Sequence, residues 1–277
     1  MRTWFITGVS SGFGRALAEQ VLAAGDTVVG TLRNAAAQTA FEQLAPGRAH
    51  GVQLDVTDTA AIAPAVRLAL THTGSINVLV NNAGYGYEGL LEEVELDDVR
   101  HQFEVNVFGP LAVIQAVLPT MRAQGHGHII NITSMGGIVT FPGLGAYHAS
   151  KFALEAINET LAKEVRGFGI HVTAVEPGGF RTDWAGRSMT RAARKFSDYD
   201  ALFEPLRTAR EQRSGKQRGD PARAAAAMIA LVNAPQPPVN LLLGTDALEV
   251  VDTKLRELQS SIDAWRPLSA STDFEAA

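Results

Sequence analysis

The chain is 277 residues long, 46% hydrophobic and 19% charged, an ordinary globular composition with enough length to bury a full core without covalent staples. It contains no cysteine, so a disulfide framework, a zinc–thiolate site and a cysteine nucleophile are all excluded. A formal charge of −5 argues against nucleic acid as a partner, and no run approaches the roughly 18 apolar residues of a bilayer span, so no membrane association and a cytoplasmic location are expected.

Residues Thr3–Thr7 form a short apolar run that is too short for a signal peptide and predicts a first strand. Thr7-Gly8-Val9-Ser10-Ser11-Gly12-Phe13-Gly14 follows directly, and helical spacing sets in over Gly14–Ala24. In such a strand–turn–helix unit, glycines let a pyrophosphate approach the amides at a helix N-terminus; a plain structural turn is the competing reading. The second strand, Thr27–Leu32, ends without an acidic residue to bind ribose hydroxyls. Arg33 follows instead, and a guanidinium there can grip a 2′-phosphate and stack on adenine, which favours NADP(H) over NAD(H). A solvated surface arginine is the alternative. His50–Leu54 predicts the third strand, closed by Asp55-Val56, where Asp55 also reads as the N-cap of a helix over Ala60–Thr71.

Asn77–Asn81 predicts a fourth strand, followed by Asn82-Ala83-Gly84, and Asp98–Arg122 a long helix carrying Asn106. The fifth strand, His128–Thr133, ends at Ser134. Tyr147 and Lys151 lie four apart in a helix over Ala146–Arg166 and therefore share a face. A tyrosine with a pKa of ~10 is a poor base at neutral pH. An ammonium one turn away is expected to lower that value. His148, next to Tyr147, points off that face. His171–Glu176 predicts the sixth strand, followed by Pro177-Gly178-Gly179-Phe180-Arg181-Thr182. Phe180–Gly219 shows no clear strand and holds ten Lys/Arg against five Asp/Glu, which reads most simply as a solvated helix face. A helix over Pro221–Asn233 and a strand over Val239–Leu243 complete the alternation, and Trp265–Ala277 lacks strong periodicity. His126-Gly127-His128 is the sole histidine pair at short spacing, and no metal site is expected.

Strands alternating with helices predict an α/β fold with a parallel sheet covered on both faces. The G-x-x-x-G-x-G spacing of Gly8–Gly14, Asn81-Asn82-Ala83-Gly84, Ser134 and Tyr147-x-x-x-Lys151 together resemble the short-chain dehydrogenase/reductase family over residues 1–245. The run from Gly136 to Leu154 resembles its hydroxysteroid and retinol dehydrogenase branch. The resemblance implies a single Rossmann-type doubly wound sheet of about seven strands over residues 1–277, with a substrate lid around 180–219 and a C-terminal helical extension around 245–265. It implies hydride exchange between a nicotinamide and a carbonyl or alcohol, with Ser134, Tyr147, Lys151 and Asn106 as the proton-transfer site.

Cofactor contacts are implied for Gly8, Ser10, Ser11, Gly12, Phe13, Gly14, Arg33, Asp55, Val56, Asn82, Ala83, Gly84, Tyr147, Lys151, Pro177, Gly178, Phe180 and Thr182. Met135, Phe141, Leu144 and Trp184 would line an apolar pocket for a small-molecule substrate. In the family the two long helices pair subunits. The C-terminal strand lacks the T-G-x-x-x-x-V-D-G-G of the tetrameric reductases, so a homodimer is expected. The competing function is a catalytically inactive nucleotide-binding regulator on the same fold, which would usually lack the Tyr/Lys pair.

Overall fold

Neighbouring residues of the first strand enter different cores: Trp4 and Ile6 pack into one apolar cluster and Phe5, between them, into another. Val28 and Val29, and Ile130 and Ile129, divide in the same way. This period-two division is what a strand buried under two helix layers requires. The computed structural model describes residues 1–274, Ala185 by its backbone alone.

In chain order the elements are β1 (Thr3–Ile6), α1 (Gly12–Ala23), β2 (Thr27–Leu32), α2 (Ala35–Glu42), β3 (Ala49–Gln53) and α3 (Thr59–Thr73). Then come β4 (Val78–Asn81), β5 (Gly86–Glu88), α4 (Leu96–Phe103), α5 (Gly109–Gln124), β6 (Gly127–Ile132) and α6 (Gly145–Glu164). The chain continues with β7 (Ile170–Pro177), β8 (Met189–Arg191), α7 (Asp200–Arg213), α8 (Pro221–Asn233), β9 (Asn240–Leu243) and α9 (Thr245–Ala270). Seven strands form one parallel sheet in the order β3-β2-β1-β4-β6-β7-β9. Leu17 and Val21 of α1, Phe41 of α2 and Met228 of α8 close one face; Ile62 and Val66 of α3, Val117 of α5 and Leu161 of α6 close the other. The strand order reverses between β1 and β4, and the crevice beyond their C-terminal ends is where such a sheet takes ligands.

Four features differ from the sequence expectation. The helix expected over Asp98–Arg122 is two helices, α4 and α5, joined by a π turn over Glu104–Phe108 that contains Asn106. The continuous run Leu96–Gln124 is, by length and composition, apolar enough to cross a bilayer, contrary to the sequence reading. Val113, Ile114, Val117 and Met121 from it lie in the core, which accounts for that hydropathy. The arginine-rich segment holds a strand after all: β8 pairs in parallel with β5, Gly86 opposite Met189 and Glu88 opposite Arg191. Helix α9 runs on to Ala270, past the aperiodic start of the tail at Trp265.

Candidate active site

Between β1 and α1 the backbone turns through Gly8 at φ +73° and Gly12 at φ +58°, the left-handed region that favours glycine. A Cβ on Gly14 would overlap the Gly8 carbonyl oxygen and the Asn82 side-chain nitrogen. Asn82 donates to the carbonyls of Thr7 and Gly8, both at 2.9 Å, and the Thr7 hydroxyl accepts from the amides of Asn82 (2.9 Å) and Ala83 (3.0 Å). The turn is thus bolted to the end of β4. Ser11, the N-cap of α1, makes no side-chain cap bond, so the first amides of that helix are left for an anion. Ser10 stands exposed beside them.

Thr182 faces Gly12 across this turn, and the rings of Phe13 and Phe180 meet edge to face at 5.1 Å. Phe180 also packs against the core beside α1, so part of its role is structural. Gly178, directly after Pro177, donates its amide to Leu243 at 2.8 Å, while Asp246 accepts from the Gly179 amide at 2.7 Å. Arg33 is exposed at the end of β2, and its guanidinium has no hydrogen-bond or ion-pair partner among the described residues. Asp55 is not a helix cap. Its carboxylate accepts from the amide (3.0 Å) and hydroxyl (2.8 Å) of Thr57, and Asp58 caps α3 instead. The Thr57 amide, outweighing burial, holds the Asp55 carboxyl below the usual range. Val56 lies beside it, buried against Gly109.

Beyond the turn, Ser134, Tyr147, Lys151 and Asn106 converge. The Ser134 hydroxyl oxygen accepts from the Gly136 amide at 2.9 Å, which directs its one hydrogen toward the Tyr147 oxygen. Lys151 donates to the carbonyl of Ile132 at 2.8 Å, with its nitrogen 5.9 Å from the Tyr147 ring centre. The Asn106 side chain donates to Tyr85 (3.0 Å) and Ser150 (3.1 Å) and accepts from the Tyr85 amide (3.2 Å), tying the π turn to α6. A Cβ on Gly84 would press on the same Asn106 oxygen.

The expected lowering of the Tyr147 pKa by the lysine is absent in the protein by itself. Burial pushes the phenol up to about 12, opposed only by its hydrogen bond with Ser134. Burial also pushes the Lys151 ammonium down to about 8, against the pull of Glu155. His148 is buried rather than solvated: one ring nitrogen pairs with the Gly136 carbonyl and the other accepts from the Phe141 amide, each at 2.9 Å. It clamps the ends of the loop that follows Ser134.

Sequence reading missed two carboxylates behind the lysine. Glu155, one turn beyond Lys151, and Glu176, near the C-terminal end of β7, share Asn240, which donates to them at 3.3 and 2.6 Å. Desolvation raises both, Glu155 to about 7. An acidic residue inside an otherwise apolar strand was the available signal. Because the folded Glu155 binds its proton more tightly than the unfolded chain does, its stabilising effect is complete below the unfolded value and lost as pH rises through about 7. Glu155→Gln, which mimics the protonated acid, should melt above the parent at pH 9 and with it at pH 5. A melting difference independent of pH would contradict this.

A family model for short chain dehydrogenase matches residues 2–192. The chain belongs to the short-chain dehydrogenase/reductase family. It is 38% identical to the oxidoreductase BOA17 of Botryotinia fuckeliana, covering 98% of this chain and 99% of that one. It is 36% identical to the 3-ketodihydrosphingosine reductase of Bacteroides thetaiotaomicron over 86% of each. The crystal structure of a short-chain dehydrogenase from Streptomyces avermitilis superposes with a TM-score of 0.92 at 40% identity, covering 99% of this chain and 100% of that one. The protein is therefore an oxidoreductase with an NAD(P)-binding Rossmann-type sheet.

Within this short-chain dehydrogenase the ring of Trp184 packs beside Tyr147, their centres 5.1 Å apart. Met135 and Phe141 are half-buried nearby in sequence, and Leu144 is buried at the head of α6. Phe203 of α7 packs where a Cβ on Gly143 would be. The basic segment is not simply a solvated face. Glu88 and Glu93 are buried, and Arg191 (2.9 Å) and Arg210 (2.6 Å) hold the first while Arg194 (2.9 Å) holds the second. The amides of Lys195 and Phe196 also donate to Glu93, each at 3.0 Å. Burial raises the Glu93 carboxyl, but these amides and the Arg194 guanidinium outweigh it and leave it below its ordinary value.

Proposed function

We propose that this protein is an NADP(H)-dependent reductase of a bulky, mainly apolar ketone. The observation that carries the reading is the convergence of Ser134, Tyr147 and Lys151 beside the Gly8–Gly14 turn, at the carboxyl edge of the sheet. The residues present fit a dinucleotide. Gly14 leaves no room for a side chain, the first amides of α1 are uncapped, and Thr182 faces Gly12 from the opposite wall. Gly8, Ser10, Ser11, Gly12 and Phe13 would hold the pyrophosphate, Asp55, Val56, Asn82, Ala83 and Gly84 the adenosine, and Pro177, Gly178, Phe180 and Thr182 the nicotinamide end. When bound, the nicotinamide supplies the hydride.

The chain's own residues then handle the proton. Ser134 donates a hydrogen bond to the ketone oxygen, and Tyr147, whose raised pKa keeps it protonated at neutral pH, gives that oxygen its proton. Protonated Tyr147 suits reduction better than oxidation. Lys151 is placed to hold the ribose end of the cofactor, and Asn106 fixes the π turn beside it. Support for a long-chain substrate comes from the apolar wall at Trp184 and from the likeness to a 3-ketodihydrosphingosine reductase. The reading includes a cytoplasmic homodimer with its two-fold at α5 and α6, where Leu111, Ala156 and Ile157 line an apolar groove. Loss of NADPH absorbance with a panel of ketones of rising chain length tests it; turnover restricted to small polar ketones would reject the substrate class.

The preference for NADP(H) is assigned to Arg33. A charge-assisted contact to a phosphate contributes about 1.5–3 kcal/mol, so Arg33→Ala should raise KM for NADPH by about 10- to 100-fold. KM for NADH should stay within a few-fold. Equal effects on the two cofactors would reject the assignment.

A further inference from the structure

Beyond Val251, no other described part of the molecule covers helix α9: every residue from Asp252 to Ala270 is exposed. An unsupported helix of this length is at the margin of stability in water. Yet its apolar residues are ordered. Leu248, Val251, Leu255, Leu258, Ile262 and Trp265 recur at alternating intervals of three and four, the a and d positions of a heptad. Leu255, Leu258, Ile262 and Trp265 are 47–63% exposed. Five acidic residues against three basic ones in Thr245–Ala270 make the helix a poor match for an anionic lipid surface.

The flanking residues select a partner and a direction. The e positions are Asp252, Gln259 and Arg266. Run antiparallel against itself, the stripe stacks Leu255 on Trp265 and Leu258 on Ile262 of the other copy. The same alignment sets Asp252 against Arg266 on both sides and Gln259 against itself. Run parallel, no oppositely charged pair forms at the e and g positions, because Lys254 meets Gln259 and Ser261 meets Arg266. The local pairs Asp252–Arg256 and Arg266–Asp263 are one helix turn apart and exposed, so exchanging them costs little.

We infer that α9 is a self-association arm: it pairs with α9 of a second copy of this chain as a two-stranded antiparallel coiled coil centred near Ser261. This interface is separate from the cofactor turn and from the α5–α6 face, and it does not depend on the substrate assigned above.

The test uses the 277-residue chain, whose lack of cysteine gives a clean background. Leu258→Glu with Ile262→Glu should halve the particle mass seen by light scattering while the melting temperature of the body stays put. Where copies also meet through α5 and α6 about a second two-fold axis, the same halving takes a tetramer to a dimer. Ser261→Cys should be joined to itself by a short bifunctional maleimide. Leu255→Cys should not, since antiparallel pairing separates the two copies of that residue by about 15 Å along the axis. Unchanged mass in the glutamate variant overturns the inference, as does self-linking at Leu255 with none at Ser261. Recovery of the parent protein as a monomer on phosphatidylserine vesicles would do the same.

Discussion

Tyr147→Phe is expected to lower kcat for ketone reduction by about a thousandfold, the middle of the range contributed by a positioned proton donor. Affinity for NADPH should change by less than about twofold, since the substitution removes one oxygen and leaves the ring. That ring is buried and braced by Trp184 at 5.1 Å and His148 at 5.7 Å, so phenylalanine fits the same space. Burial keeps the phenol neutral at neutral pH, so the substitution removes no charge from the site. The pH profile of the parent gives a second reading. Lys151 keeps its ammonium below about 8 and loses it above, so kcat/KM for reduction should fall on the alkaline side of that value. Activity of the Phe variant within a few-fold of the parent, with cofactor bound normally, would remove Tyr147 from the mechanism.

Much of this site was legible because its chemistry is concentrated in short segments. The turn at Gly8–Gly14, the Tyr147–Lys151 pair and Ser134 each announce themselves by residue type at fixed spacing, and the structure brings them to one edge of the sheet. The sheet strands were legible because burial on both faces makes them short continuous apolar runs. What was not legible depends on groups far apart in sequence. Three-residue strands such as β5 and β8 carry no periodicity; they exist because the chain meets itself about a hundred positions on. The π turn at Asn106 is hydrophobically indistinguishable from the helices around it. Burial, not charge, sets the Tyr147 phenol, and burial is a tertiary property that spacing does not report. The arginines of 187–218 looked solvated for the same reason: their partners, Glu88 and Glu93, are about a hundred residues away.

Those two carboxylates lead to the other large expected effect. Glu93→Gln should raise the rate of chymotryptic cleavage after Phe196, Tyr199 or Phe203 by about 30-fold while the sheet stays folded. Glu93 accepts from Arg194 and from the amides of Lys195 and Phe196, so its charge holds down the strap that leads from β8 into α7. Breaking a fully buried ion pair costs about 3–5 kcal/mol. Arg194 keeps 18% of its side chain in water and retains Asp200 and Glu204, which discounts the loss to about 2 kcal/mol, or roughly 30-fold in local opening. Arg187→Ala, which removes an exposed pair with Asp183, is the control and should change cleavage by less than about twofold. The pH dependence has a definite sign. A carboxyl held below its ordinary value stabilises the closed strap above the unfolded value and loses that effect as pH falls, so parent and variant should converge in acid. Phe203, which packs where a Cβ on Gly143 would be, lies in the helix that this strap leads into, so opening the strap also loosens that contact. Equal cleavage of Glu93→Gln and Arg187→Ala would mean that the backbone pairing of β5 with β8 holds the segment, and that the buried carboxylate is incidental to it.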